Sequence, residues 1–329
     1  AITMGDPCGI GPEVVVKALA DPSVYATCRP LVVGNIYAMQ RAVELTGIPL
    51  RINAPDDPAA AGQDPGMVDV LDINNLNPED ITVGEISPTC GKAAMEWVTK
   101  AGELALAGVV DGMATAPLNK EAASLAGYES IGHSELLQEL AGVKTVATML
   151  LAKNLRVVHL TTHRSLRLAC DYVKKDRILE FLQLTHDNFV TWGFKNPRIG
   201  AAALNPHNSD GGLLGSEEAE EIAPAVEAAR QRGIDVTGPV PADIIFHQAI
   251  QGRYDAVLCM FHDQGHIPVK VYGFEESITA NLGLPFVRTS VDHGTAFDIA
   301  GKGIADAFSM LESIRLAVGL AKGNGLADF

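Results

Sequence analysis

Short continuous runs of apolar residues recur along the chain and alternate with segments of helical periodicity. Strands that are buried on both faces of a parallel sheet have this continuous apolar character. The runs predict strands over 31–34, 67–73, 146–152, 155–162, 199–204, 256–261 and 285–291. Helical patterns lie between them, at 11–20, 93–108 and 216–233. This alternation predicts an α/β fold with largely parallel sheets.

The first residues, ITMGDPCGIGPEV, predict a strand, a glycine turn and a helix, because Pro12 suits the first position of a helix. Neither the G-x-G-x-x-G fingerprint nor a phosphate-binding P-loop is present. A second glycine-rich segment lies near 293–303, and the two segments could serve one cofactor. For 329 residues two domains are expected. We therefore predict a discontinuous cofactor-side domain, 1–128 plus 292–329, and a metal- and substrate-binding domain, 129–291.

The charge and the cysteines limit the class of protein. The chain has 25 basic and 40 acidic residues, a formal charge of −15, which disfavours nucleic acid as a partner. The longest apolar runs are well short of the roughly 20 residues that a membrane helix needs. The five cysteines are scattered without a C-x-x-C pair, as in reduced cytosolic proteins. We expect a cytoplasmic protein with no membrane partner.

Three apolar runs each lead to a histidine: His163, His207 and His262. Ligands of open parallel sheets bind outside the carboxyl ends of the strands. Three imidazoles there could meet around one divalent cation, and imidazole suits zinc and other late first-row metals. The alternative, that each is an ordinary polar residue closing a strand, stays open.

Other histidines are interpreted differently. Three are predicted to be structural: His159, His186 and His247. His266 follows His262 by four residues, but Gly265 and Pro268 argue against a helix that would place both rings on one face.

Several donors fall in predicted loops after strands: Lys120, His133, Ser134, Lys270 and Arg288. Such groups can bind a phosphate or a carboxylate through charge-assisted hydrogen bonds. The alternative of unrelated surface charges also stays open. Lys270 could in addition transfer protons.

Seven stretches together resemble the 4-hydroxythreonine-4-phosphate dehydrogenase family along nearly the whole chain: ITMGDPCGIGPE, TAPLNKEA, GHSELL, LTTHRSLR, LNPH, FHDQGHIPVK and GLPFVRTSVDHGTAFDIAG. The opening together with HGTAFDIAGKGIAD is also similar to isocitrate- and isopropylmalate-type dehydrogenases, which bind NAD without the usual glycine fingerprint. The resemblance implies two α/β domains with the active site in the cleft between them, and a homodimer.

The resemblance also implies roles for individual residues. One divalent metal ion, zinc in preference to magnesium, cobalt or manganese, is expected on His163, His207 and His262. Substrate contacts are expected from His133, Ser134, Lys270, Thr279 and Arg288, where Thr279 replaces the family's asparagine and Asn281 lies two places later. NAD is expected near Gly11, His293, Gly294 and Asp298. Candidate proton-transfer groups are Lys270, Asp263 and Asp243.

The expected reaction is NAD-dependent oxidation of a 4-phosphorylated 3-hydroxy C4 acid, followed by decarboxylation of the β-keto acid. The substrate is predicted to be 4-phosphohydroxy-L-threonine, 4-phospho-D-threonate or 4-phospho-D-erythronate. His266 makes the chain more similar to the relatives that act on the last two. A cis-dihydrodiol carboxylate dehydrogenase and a non-catalytic metal- or nucleotide-binding protein stay open as alternatives.

Overall fold

The computed structural model describes residues 1–130 and 132–324, which form two compact units. Unit 1 comprises Ala1–Thr145 and Leu284–Ala321, and unit 2 comprises Val146–Gly283 with residues 322–324. The predicted boundaries, after residues 128 and 291, therefore differ from those of the compact units. The difference arises because the helix His133–Ala141 packs on the helix Pro88–Leu106, and the strand Val287–Val291 pairs with Gly112–Thr115.

Unit 1 contains one parallel sheet with the strand order β3-β4-β2-β1-β5-β12. Its strands are β1 (Ile2–Thr3), β2 (Leu31–Val33), β3 (Arg51–Asn53), β4 (Met67–Leu71), β5 (Gly112–Thr115) and β12 (Val287–Val291). Its helices are α1 (Gly11–Leu19), α2 (Pro22–Thr27), α3 (Ile36–Thr46), α4 (Pro88–Leu106), α5 (Lys120–Leu125), α6 (His133–Ala141) and α12 (Phe308–Ala321).

Unit 2 contains strands in the order β11-β6-β7-β10-β8-β9. They are β6 (Ala147–Ala152), β7 (Leu155–His159), β8 (Ile199–Ala202), β9 (Val236–Val240), β10 (Ala256–Cys259) and β11 (Ile278–Leu282). The helices are α7 (Leu166–Asp171), α8 (Lys175–Thr191), α9 (Ala223–Gln231), α10 (Ala242–Ile250) and α11 (His262–Tyr272). Strand β6 is antiparallel to β7 and β11, and the remaining pairs are parallel.

The α/β class and the largely parallel arrangement are confirmed, and each of the seven predicted strands is present. The antiparallel exception, β6, is joined to β7 by a turn at Lys153, which adopts φ 51°. Antiparallel neighbours can be joined by such a short turn, whereas parallel neighbours need a longer crossover. No described helix is long and apolar enough to span a membrane.

The predicted glycine turn at the amino terminus is present between β1 and α1. Gly5 adopts φ +75°, a conformation that L side chains rarely adopt. A Cβ atom on Gly11 would lie 2.4 Å from the Met4 carbonyl oxygen. Close backbone packing therefore favours glycine at position 11, and a contact between Gly11 and the cofactor stays a prediction.

Candidate functional site

The carboxyl-terminal edge of the unit 2 sheet carries the three predicted metal ligands. His163 follows β7, His207 follows β8 and His262 follows β10. Strand β10 lies between β7 and β8 and is parallel to both. The three histidines are therefore presented at the same edge of one sheet.

His163 and His262 form a histidine pair. Their ring centroids are 5.9 Å apart, and both line a cavity with Thr162, Arg164 and Phe261. The Nδ1 atom of His262 is 2.7 Å from the Asp263 carboxylate. Because an ionised carboxylate can only accept, Nδ1 is the donor in this contact, and Nε2 points away from the carboxylate as the ring nitrogen that could bind a metal ion. This carboxylate–imidazole arrangement is typical of metal-ligating histidines.

His207 lies on a turn after β8 and has a similar carboxylate partner. Its Nδ1 is 3.3 Å from the Asp210 carboxylate, and its side chain is exposed. Within residues 1–130 and 132–324, no three ligating side chains are grouped closely enough to hold one ion. The structure thus brings two of the three predicted ligands together, with His207 outside that pair. Imidazole nitrogens are ligands that zinc prefers, so the residue types at this edge fit a zinc ion.

His266 was predicted to lie off the helical face of His262, and this prediction is wrong. Helix α11 continues through Pro268, and the two rings stack with centroids 3.6 Å apart and planes 12° apart. A proline six residues into the helix removes one main-chain hydrogen bond but does not end α11 here. The stacked ring limits the orientations that His262 can adopt.

His159 is buried, as predicted for a core residue, and packs beside His266. Its Nδ1 is 3.3 Å from the Thr148 carbonyl oxygen and therefore donates, and its Nε2 is 3.0 Å from the His266 Nδ1. Burial, and then the neighbouring His266, lowers the pKa of His159 to about 3. His159 is thus neutral near pH 7, and its Nε2 accepts from His266.

Substitution of Gly265 by alanine is expected to destabilise unit 2. A Cβ there would lie 2.4 Å from the His159 Nε2 and 2.6 Å from the Cys259 Sγ, both in the buried interior. Overpacking of this kind costs about 1–3 kcal/mol, which urea unfolding would measure. Gly294→Ala is the control, because no described atom lies within 4 Å of a Cβ at that position. Equal unfolding midpoints for the two variants would contradict this packing argument.

Of the predicted proton-transfer and substrate-binding residues of unit 2, Asp263 lines the cavity at the histidine pair, whereas Lys270, Asp243 and Thr279 do not. Lys270 lies on α11 rather than in the predicted loop, about 12 Å further along the helix axis than His262. Its Nζ donates to the Ser277 Oγ at 2.8 Å. Asp243 is exposed in the first turn of α10, and Thr279 lies on β11. The roles of Lys270, Asp243 and Thr279 stay predictions.

Unit 1 contains a candidate anion site, defined here as Thr115, Lys120, His133 and Arg288. Arg288 lies on β12, not in a loop, and is 5% exposed. Its guanidinium donates to the Thr115 Oγ1 at 2.6 Å. Burial lowers the pKa of Arg288 to about 9, and the Glu135 charge partly offsets that effect. A buried cation of this kind favours the binding of an anion, because the anion compensates its lost hydration.

His133 begins α6, and Ser134 follows it in the first turn. Burial lowers the pKa of His133 well below its usual range, and the charges of Arg288 and Lys120 lower it further. The Nε2 atom of His133 is buried and has no hydrogen-bond partner among the described residues. A neutral imidazole with one unengaged nitrogen can contact a ligand here.

The two glycine-rich segments meet in unit 1. The Ile10 amide donates to the Thr295 carbonyl at 3.0 Å. His293 and Gly294 line one cavity together with Lys120 and His133. The Nε2 atom of His293 is buried without a hydrogen-bond partner in the described chain. These residues fit the edge of a cofactor, whereas Asp298 is exposed and does not line this cavity.

Asp6 lies in the same amino-terminal turn, and its pKa leads us to expect that the free energy of unfolding depends on pH. Burial raises the pKa of Asp6 to about 6, although the Cys8 amide hydrogen bond opposes this. Because the folded pKa exceeds the unfolded value, the contribution of Asp6 is full below about pH 4 and is lost as the pH rises through 6. Asp6→Asn removes this titration.

The free energy of unfolding of the wild type minus that of Asp6→Asn should therefore fall by about 3 kcal/mol as the pH rises from 4 to 7. Urea titrations of both proteins at several pH values measure it. A difference between them that stays constant with pH would contradict the assignment.

Sequence reasoning missed three contributors to these sites: Thr115, Asp210 and Glu218. Asp210 could have been found, because a carboxylate three residues after a candidate ligand is a recognisable signal. Thr115 contacts Arg288 across 173 positions of the chain, and the Glu218 carboxylate accepts from the Leu204 amide across 14 positions. Neither contact leaves a local pattern in the sequence.

A family model described as pyridoxal phosphate biosynthetic protein PdxA matches residues 26–317. The chain belongs to the PdxA family. One relative in this family, the D-threonate 4-phosphate dehydrogenase of Cupriavidus necator, is 47% identical over 321 residues, which are 97% of this chain and 96% of the relative. The 4-hydroxythreonine-4-phosphate dehydrogenase of Geobacter metallireducens is 46% identical over 324 residues, 98% and 96% of the two chains.

A crystal structure of the 4-hydroxythreonine-4-phosphate dehydrogenase from Klebsiella pneumoniae has a TM-score of 0.91 to this fold. It is 43% identical, and the match covers 97% of each chain. The resemblance inferred from the sequence motifs is thereby confirmed at the level of the PdxA family.

Proposed function

We propose that this member of the PdxA family is a dehydrogenase that oxidises a 4-phosphorylated 3-hydroxy C4 acid with NAD. The observation that carries the substrate class is the buried Arg288 beside His133 and Lys120. The two cations outnumber the one carboxylate that acts on Arg288, Glu135, and so form a local positive site in a chain of formal charge −15. The names of two relatives, quoted above, support a substrate of this class.

The histidines at the edge of the unit 2 sheet would hold the metal ion. His163 and His262 would bind it as a pair, with His207 as the third ligand. A divalent ion, zinc in this proposal, would supply Lewis-acid chemistry to the substrate hydroxyl group. Asp263 and Asp210 would keep the free Nε2 of His262 and His207 available as ligands.

The residues of unit 1 would bind the anionic groups and the cofactor. Arg288 would hold one substrate anion through charge-assisted hydrogen bonds, and Thr115 fixes its guanidinium. The unengaged Nε2 of His133 would donate to, or accept from, the same ligand. NAD would lie along His293 and Gly294, and it would supply the oxidising power.

Oxidation at carbon 3 of such an acid gives a β-keto acid, which loses its carboxyl carbon as carbon dioxide. The proposal therefore predicts one carbon dioxide for each NADH formed. The test uses the three candidate substrates labelled at the carboxyl carbon, with label release and NADH measured together. NADH formation without release of label would contradict the decarboxylating step.

A further inference from the structure

The turn that carries His207 has an unusual backbone. Five consecutive residues, 207–211, adopt φ values between 44° and 72°, and four of them are not glycine. L side chains rarely adopt this left-handed conformation, and a run of them is rarer still. Such strain persists where the surrounding structure holds the residues in place. Some other group must therefore fix the turn.

The Glu218 carboxylate contacts this turn from the segment before α9. It is 4% exposed and lies in the π-helical turn Glu218–Ile222. Its Oε1 accepts from the Leu204 amide at 2.8 Å and from the Asn205 amide at 2.6 Å. Its Oε2 accepts from the Asn205 Nδ2 at 2.9 Å and from the Ser209 hydroxyl. One carboxylate thus connects Leu204 and Asn205, which precede the turn, to Ser209 in the middle of the turn.

The hydrogen bonds to Glu218 involve its charged form. Burial by itself would raise the pKa of Glu218, but the hydrogen bonds from Asn205 and Ser209 outweigh it and lower the pKa. Hydrogen bonds to a carboxylate are stronger than bonds between neutral groups. Single π-turns often lie at functional sites. The network therefore opposes the backbone strain of the segment.

The left-handed run has a direct consequence for His207. It brings the Asp210 carboxylate to the His207 Nδ1, so that the imidazole presents Nε2 outward. Ser209, the residue held by Glu218, lies between these two residues. A change at Ser209 can therefore shift the Asp210 carboxylate relative to the His207 ring.

We propose that Glu218 is a positioning residue for metal binding, because its carboxylate holds the 207–211 turn that presents His207 to the ion. This inference rests on the proposed role of His207 as a metal ligand. Glu218 itself does not contact substrate or metal in this account. It acts through Ser209, Asn205 and the backbone of the turn.

The test is the affinity of the full-length apo protein for Zn²⁺, measured by competition with a chromophoric chelator. Glu218→Gln keeps the size of the side chain but loses the charge and one acceptor. We expect it to weaken zinc binding about 10–100-fold, the usual effect of losing a group that orients a ligand. Ser209→Ala should weaken binding less, and in the same direction. Glu220→Gln is the matched control, since Glu220 is an exposed carboxylate in the same π-turn.

Co²⁺ absorption separates positioning from ligand loss. At saturating Co²⁺, Glu218→Gln should regain the wild-type spectrum, because all ligands remain, whereas His207→Ala should not. Wild-type zinc affinity in His207→Ala would refute the role of His207 in the proposed function. If His207→Ala loses zinc affinity while folded Glu218→Gln keeps the wild-type zinc affinity, only the role of Glu218 is refuted. If Glu218→Gln fails to fold, an unchanged zinc affinity in Ser209→Ala refutes the positioning role of Glu218 instead.

Discussion

Substitution of His262 by alanine is expected to lower kcat by a factor of at least about 10³, because the Lewis acid contributes several kcal/mol and each 1.36 kcal/mol is tenfold in rate. The variant removes one member of the histidine pair. Bound zinc should fall in parallel with turnover. Steady-state kinetics with 4-phospho-D-threonate and NAD, together with metal analysis of the same preparation, would measure both.

His247→Ala is the control for this experiment. His247 lies in α10, away from the predicted ligands in sequence, and was predicted to be structural. Its zinc content and kcat should remain at the wild-type values. A His262→Ala enzyme that retained turnover without bound zinc would show that the histidine pair is not a metal site.

Substitution of Arg288 by methionine is expected to lower kcat/KM for the phosphorylated acid about a hundredfold or more. Hydrogen bonds to charged groups contribute about 1.5–3 kcal/mol each, and a guanidinium can make two of them to one anion. Arg288→Lys should lie between methionine and wild type, because it keeps the charge but loses the planar fork. Initial rates over a range of substrate concentrations separate KM from kcat.

Stability distinguishes this effect from misfolding. The buried Arg288 guanidinium donates to the Thr115 Oγ1, and removing one partner of a buried hydrogen bond costs about 1–3 kcal/mol. The free energy of unfolding of Arg288→Met should therefore fall by about that amount, and the variant should remain folded. Arg51→Met, at an exposed ion pair with Asp64, is the control and should change neither property. If Arg288→Met kept the wild-type kcat/KM, the proposal that Arg288 binds the substrate anion would be refuted.

The strands could be predicted from the sequence because parallel strands buried on both faces are continuous apolar runs. The same reasoning placed His163, His207 and His262 at one edge, since β7, β10 and β8 are parallel neighbours. The strands that were missed lack this signal. For example, β3 is largely exposed, and β9 contains Gly238 and Pro239.

The helix break predicted from Gly265 and Pro268 is absent, because tertiary packing outweighs the local preferences of these two residues. Pro268 suggested a break, yet α11 continues and stacks His266 on His262. The predicted break treated Gly265 as a helix-disfavouring residue. In the structure its missing side chain leaves room for His159 and Cys259, and this allows α11 to pack closely.

The detail of the candidate site depends on contacts that no periodicity records. The left-handed 207–211 turn is held by a hydrogen bond from Ser209 to Glu218, which lies later in the chain in a different element. Arg288 and Thr115 lie on neighbouring strands that are far apart in the chain. The sequence identified the candidate ligand and anion-binding residues, but not the groups that form hydrogen bonds with them.

The most direct test of the proposed function is NADH formation by zinc-loaded protein on 4-phospho-D-threonate, 4-phospho-D-erythronate and 4-phosphohydroxy-L-threonine. Each assay is repeated with the dephosphorylated acid, and again after removal and return of the metal. We predict turnover of at least one phosphorylated acid, little turnover of its dephosphorylated form, loss with a chelator and recovery with zinc. Turnover of a cis-dihydrodiol carboxylate alone, or phosphorylated-acid turnover that is unchanged by the chelator, would contradict the account.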